Sequence, residues 1–166
     1  MNASDALARA RALLADITPL KDDCGRVCGH ACCAPDEDGQ GGMLLFPGEE
    51  IFYSPLPNGF LLSPDASVVP NGRLLTCAGE CARKDRPLAC RLFPLLPVLK
   101  NGVVRAVRDG RAWAVCPLME CGLNGLSEDF VRAVREAGEA LYACPEHAAY
   151  LDALHAYILS MRAMRF

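Results

Sequence analysis

The sequence predicts an α+β fold in which helices flank a cysteine-rich, loop-rich middle. Apolar residues recur at helical spacing near the amino terminus and twice near the carboxyl terminus. Ten of the twelve prolines lie from Pro35 to Pro117, so regular structure there must be short. Asn101-Gly102, between two apolar runs, is typical of a β-hairpin. We therefore expect small antiparallel hairpins between an N-terminal helix and a C-terminal antiparallel helix pair.

Length and composition narrow the class of protein. A chain of 166 residues can form a single domain with its own core. We divide it into an N-terminal helix (1–20), a cysteine-rich metal-binding region (21–122) and a C-terminal helical hairpin (123–166).

The net charge is -3 and no basic block stands out, so we expect no nucleic-acid partner. Neither a signal-peptide pattern nor an apolar run of about 20 residues is present, so we expect a cytoplasmic protein without membrane contact.

The first helix is predicted over residues 3–17. Asn2 or Ser4 can cap it, and Pro19 ends it. Its apolar stripe, which should face the core, consists of Leu7, Ala10, Leu14 and Ile17.

Short strands and turns are predicted through the middle of the chain. Residues 35–42 form a polar, glycine-rich loop without the spacing of a calcium-binding loop. Turn residues separate four strand candidates, which are residues 43–46, 51–53, 60–62 and 73–76. Glu49 and Glu50 can instead open a short helix. The intervening turns are 47–48, 57–59, 63–65 and 70–72. Residues 98–100 and 103–108 then pair around a type I′ turn at Asn101-Gly102.

Two helices are predicted after residue 126. The first covers residues 127–143, with Ser127 as its cap, and buries Phe130, Val134, Ala137 and Leu141. The second begins at Pro145 and runs to about residue 162, with a stripe of Leu151, Leu154, Ile158 and Met161. The short junction at Cys144 predicts that the two helices are antiparallel.

Ten cysteines dominate the chemistry of the chain. In a reducing compartment they indicate metal or redox sites rather than a disulfide framework. Four lie within ten residues: Cys24, Cys28, Cys32 and Cys33. Cys24, Cys28 and Cys32 are four apart, so a helical turn would place them on one face. Further along the chain come Cys77, Cys81, Cys90, Cys116, Cys121 and Cys144. Thiolates suit zinc, or iron in an iron–sulfur cluster.

The predicted metal ligands are Cys24, Cys28, Cys32, Cys33, Cys81, Cys90, Cys116 and Cys121. Cys77 and Cys144 are interpreted as small buried residues rather than ligands. The three histidines, His30, His147 and His155, are not expected to bind the metal. Adjacent side chains diverge, so either one of Cys32 and Cys33 is not a ligand or the two serve different metals.

Two blocks of sequence carry a family resemblance. One is the cluster that ends in the doublet Cys32-Cys33. The other is Cys81, then Arg86-Pro87, then Cys90-Arg91-Leu92-Phe93-Pro94. Together they resemble the CxxCxxCC family of zinc- or iron-chelating domains, although three residues separate the first cysteines here where that family has two. The resemblance implies a metal site formed by Cys24, Cys28, Cys32, Cys33, Cys81 and Cys90. The likeness of that family to the cysteine-rich part of flagellin lysine methylases implies redox or methyl-transfer chemistry in some members.

The functional hypothesis is a non-catalytic, cysteine-thiolate metal-binding protein with a structural or accessory role, with Zn²⁺ favoured. The alternative is an iron–sulfur redox protein or enzyme component, with a [4Fe-4S] or other cluster and a link to methyl transfer. The absence of a C-x-x-C pair argues against a thiol oxidoreductase. No serine nucleophile elbow, phosphate loop or zinc-protease helix is present. Arg86 or Arg91 can offset thiolate charge, although both can instead be surface arginines.

Overall fold

The fold is α+β, with helices from both ends of the chain packed around a β-hairpin and a small three-stranded sheet. The computed structural model describes residues 1–34, 41–77, 79 and 81–163. Its helices are α1 Ala3–Leu13, α2 Gly25–Cys28, α3 Leu88–Leu92, α4 Glu128–Tyr142 and α5 Pro145–Ala163. Its strands are β1 Met43–Leu44, β2 Leu61–Pro64, β3 Arg73–Thr76, β4 Leu95–Lys100 and β5 Val103–Arg108.

Helix α1 begins as predicted and ends four residues early. The Asn2 side chain accepts a hydrogen bond from the Asp5 backbone N–H at 2.8 Å, which caps the first turn. Leu14 leaves the helical conformation at φ -109° and ψ 13°. The Arg83 guanidinium then takes over the free carbonyls: it donates to Ala15 O at 2.6 Å and to Leu14 O at 3.2 Å, and it also bonds Ile17 O. An arginine from a distant segment therefore closes the end of this helix.

The three-stranded sheet has the order β1-β3-β2 and is antiparallel. Strand β3 covers the predicted residues, and Leu75 pairs with Met43 on one side and Leu62 on the other. The predicted strand at 51–53 is wrong, because this segment belongs to a 3₁₀ turn, Glu49–Tyr53. That outcome matches the alternative in which Glu49 and Glu50 open a short helix. The turn predicted at 63–65 is also partly wrong, because β2 extends through Pro64.

The hairpin of β4 and β5 forms at the predicted turn. Asn101 has φ 53° and Gly102 has φ 75°, the two positive values that a type I′ turn requires. Strand β4 starts at Leu95, three residues before the prediction, and Pro97 pairs with Ala106. Proline is tolerated here because each strand of a two-stranded sheet has an open edge.

Helix α4 is central to the core, since it packs against α1, α5 and both strands of the hairpin. Ser127 is its N-cap residue, as predicted, but its side chain makes no capping hydrogen bond. The fully buried large side chains of the core come from both ends and the middle of the chain, and they include Leu7, Leu14, Phe46, Leu95, Phe130, Leu141 and Leu154.

Helix α5 begins at Pro145, as predicted, and returns the chain to the amino terminus. His147 on this helix is fully buried, and its Nε2 lies 3.0 Å from Ala3 O.

Residues 35–40, most of the predicted glycine-rich loop, lie outside the described residues. Within the described part of the chain, no helix combines the length and apolar character needed to cross a membrane.

Candidate metal centre

The first cysteine segment is built from two short turns rather than one helix. Helix α2 ends at Cys28, whose thiol donates to Cys24 O at 3.7 Å. Gly29 (φ 62°) and His30 (φ 60°) are both left-handed, which stops the helix and redirects the chain. A 3₁₀ turn, Ala31–Cys33, then carries the doublet. The predicted helical face is therefore interrupted between Cys28 and Cys32.

Gly25 is required for this turn to fold back on itself. A Cβ atom at this position would lie 2.4 Å from Nδ1 of His30, which is far inside van der Waals contact. The missing side chain allows the His30 ring to lie against the backbone at the start of α2.

The second cysteine segment runs from the end of β3 to α3. Cys77 follows β3, Cys81 precedes the 3₁₀ turn Arg83–Asp85, and Cys90 lies within α3. Arg91 holds this segment together, because its guanidinium donates to Arg86 O and to Lys84 O, each at 2.9 Å.

A buried ion pair also ties α3 to α1. The Glu49 carboxylate accepts from the Leu88 backbone N–H at 2.6 Å and from Arg11 Nη1 at 2.6 Å. It also accepts from the Phe46 backbone N–H at 3.2 Å. These bonds position the start of α3, and therefore Cys90, two residues after Leu88.

Cysteines from three separate segments line one cavity, which we call cavity I. Its volume is about 70 Å³. Arg86, His30, Phe93 and Pro94 contribute to its walls. Its six cysteines are Cys24, Cys28, Cys32, Cys33, Cys90 and Cys116.

A second cavity, cavity II, has a volume of about 330 Å³ and five cysteines in its walls. These are Cys32, Cys33, Cys77, Cys81 and Cys90. Cys32, Cys33 and Cys90 line both cavities, so the two adjoin each other.

Groups near the Cys32-Cys33 doublet favour the thiolate form of Cys33. A hydrogen bond from the Cys32 thiol, together with Arg86 and His30, lowers the pKa of Cys33 to about 6. Burial and the neighbouring Cys77 thiol instead raise the pKa of Cys81 to about 11. Arg86 Nη2 also lies 3.4 Å from Asp23 Oδ2. Both arginines considered from the sequence line cavity I. Arg86 acts on the Cys33 and Cys81 thiols, whereas the Arg91 guanidinium donates to backbone carbonyls.

The structure brings most, but not all, of the predicted ligands together. Cys121 is exposed and lines neither cavity. Its side chain packs against Gly125, where an added Cβ atom would lie only 2.3 Å from the Cys121 Cβ. Cys77, which the sequence interpretation set aside, lines cavity II. Its spacing to Cys81 is the same as that of Cys24 to Cys28, and this repeat was the available signal. Cys144 is 3% exposed, consistent with its interpretation as a buried residue.

All ten cysteines lie within the described residues and carry free thiols. In the described ranges, no three cysteine, histidine, aspartate or glutamate side chains are arranged so that they could hold a metal ion as they stand. The donor chemistry of both cavities fits a thiophilic metal, and the thiols would have to draw closer to bind one.

Comparisons with protein-family models, with curated proteins and with solved structures find no match for this chain. The resemblance to the CxxCxxCC family therefore depends on the two cysteine blocks alone.

Proposed function

We propose that this chain binds metal through cysteine thiolates, with zinc favoured, and that the metal has a structural or accessory role. The observation that supports this most is the convergence of six cysteines, from segments that begin near residues 24, 90 and 116, on cavity I. A single buried cysteine is usually just a small apolar residue, but six around one small cavity are poorly explained by packing.

The charge around the thiols also supports the proposal. Four thiolates and one Zn²⁺ leave two negative charges, which a nearby guanidinium stabilises. Arg86 lies close enough to both Cys33 and Cys81 to influence their pKa values. Metal binding here includes a rearrangement of the thiols, because the described residues do not present three donors in a coordinating arrangement.

A bound metal would join loop segments that have little regular structure of their own. Structural zinc contributes about 10–16 kcal/mol of apparent binding free energy in zinc-finger peptides. In this chain the ion would fix the positions of α2, the Ala31–Cys33 turn and the loop before α3 relative to one another. That arrangement favours a structural role over a catalytic one.

Elemental analysis of anaerobically purified protein tests the proposal. We expect colourless protein that carries zinc, and Cys28→Ser should weaken zinc affinity at least tenfold, because even supporting residues around zinc contribute about 10–100-fold. Cys121→Ser is the matched control, since this thiol is exposed and lines neither cavity. Competition with a chromophoric chelator measures both affinities.

Two results would redirect or reject the proposal. Brown protein with stoichiometric iron and sulfide would replace zinc with the iron–sulfur alternative. Protein that carries neither metal, fails to take up zinc after reduction and is equally stable with Cys28→Ser would reject metal binding altogether.

A further inference from the structure

The cysteines separate into two groups by the cavity that each thiol lines and the segment that carries it. Cys24, Cys28 and Cys116 form the first group. Cys24 and Cys28 lie at the two ends of α2, and Cys116 directly precedes the 3₁₀ turn Pro117–Met119. All three line cavity I and none lines cavity II.

The second group consists of Cys77, Cys81 and Cys90. These three belong to the segment that runs from the end of β3 to α3. All three line cavity II, and Cys90 also lines cavity I.

The Cys32-Cys33 doublet lies between the two groups, since both of its thiols line both cavities. Each group has three thiols, and a structural zinc ion takes four ligands. One thiol of the doublet can therefore complete each group.

We propose that the chain has two adjoining four-thiolate metal sites, one in each cavity, with the Cys32-Cys33 doublet divided between them. Site 1 consists of Cys24, Cys28, Cys116 and one thiol of the doublet. Site 2 consists of Cys77, Cys81, Cys90 and the other thiol of the doublet. This inference rests on the proposed function, adds Cys77 to the ligand set and removes Cys121 from it.

Ligand count and charge both agree with two ions. A structural zinc ion takes four ligands, so one ion cannot use the eight cysteines that line the two cavities. Each four-thiolate zinc site would retain two negative charges, and each group has an arginine beside it. Arg83 lines cavity I, and Arg86 lines both cavities and hydrogen-bonds with Cys81.

The chain supplies each site with a pair of cysteines that are close in sequence. Cys24 is the N-cap residue of α2 and Cys28 is its last residue, and Cys77 and Cys81 lie on either side of Gly79, which has φ 94°. Each pair has a C-x₃-C spacing. The remaining ligands come from α3, the doublet and Cys116, so each site joins segments that are distant in sequence.

Metal stoichiometry tests the inference. The full chain is reduced, stripped of metal under anaerobic conditions and titrated with Co²⁺, whose thiolate charge-transfer absorption reports sulfur ligation. We expect two equivalents per chain, and two resonances by cadmium NMR after replacement with Cd²⁺. Cys28→Ser and Cys77→Ser should each retain one equivalent, and each should lose a different cadmium resonance. Cys121→Ser, the control, should retain two.

The outcomes distinguish this inference from the proposed function. One equivalent in the native chain, or loss of both ions in Cys28→Ser and in Cys77→Ser alike, overturns the two-site arrangement while metal binding stands. No binding by the native chain overturns both. Because the native stoichiometry and the number of cadmium resonances need no variant, the inference remains falsifiable even if a substituted chain does not fold.

Discussion

Glu49 connects the helix that carries Cys90 to the N-terminal helix. Its side chain is 0% exposed, and it joins Arg11 of α1 to the first residue of α3. Burial raises the pKa of Glu49, and the hydrogen bond from the Leu88 N–H and the Arg11 charge oppose that rise. A charge this deeply buried is tolerated because every contact donates to it.

We expect Glu49→Ala to lower the free energy of unfolding by about 3–5 kcal/mol, because it leaves Arg11 and the Leu88 N–H without their acceptor in the interior. Urea denaturation followed by circular dichroism measures the change. Glu50→Ala is the control: it alters the neighbouring acid, which has no such contacts among the described residues, and it should change stability by less than about 0.5 kcal/mol. Equal effects from the two substitutions would show that the buried pair is not a stabilising contact.

At the scale of an element, α4 and the hairpin approach each other more closely than side chains normally allow. A Cβ atom on Gly138 would lie 2.4 Å from the Pro97 Cβ and 2.8 Å from Val104 Cγ1. The sequence shows Gly138 only as a weak point in a helix. The structure shows that this glycine lets β4 and β5 lie against the helix backbone.

We expect Gly138→Ala to destabilise the protein by about 1–3 kcal/mol, because the added methyl group overpacks the contact between helix and hairpin. Helix propensity alone predicts the opposite sign, a gain of about 1 kcal/mol. Thermal and urea unfolding distinguish the two, and exposed Glu136→Ala on the same helix serves as the control. A more stable Gly138→Ala chain would mean that the helix and hairpin pack less closely than described.

For the whole molecule, the hydrophobic core and the cysteine region are largely separate. The main core cluster draws on α1, α3, the hairpin, α4 and α5, and none of the ten cysteines belongs to it. Most of its members come from helices and the hairpin rather than from the loops that carry most of the cysteines. The proposed metal sites would therefore organise the loops around the core without creating it.

Removal of the metal by a chelator should therefore increase the flexibility of the cysteine-bearing loops and leave the hydrophobic core unchanged. If the protein binds metal as proposed, a chelator should increase amide hydrogen exchange in residues 24–33 and 77–86, because the ion no longer joins these loops. Exchange in β4, β5 and α4 should change little. Cooperative unfolding of the whole chain on chelation would contradict this separation, and Cys121→Ser protein treated identically provides the reference.

The sequence by itself determined the features that depend on neighbouring residues. Asn101-Gly102 specifies the hairpin because both residues adopt positive φ, and Pro145 specifies the start of α5 because its fixed φ suits a first helical turn. These signals act within a few residues, so they can be read without knowledge of the fold.

Only the tertiary structure decided which distant groups meet. Residues 51–53 resemble a strand locally, but they belong to a 3₁₀ turn that begins at Glu49, whose buried carboxylate accepts hydrogen bonds from the Phe46 and Leu88 N–H groups. In the same way, Cys77 lines a cavity and Cys121 does not, because the paths of β3 and of the loop after β5 determine where each thiol lies. Packing between distant segments supplies most of the free energy that favours these conformations. A local pattern of residues contains no information about that packing.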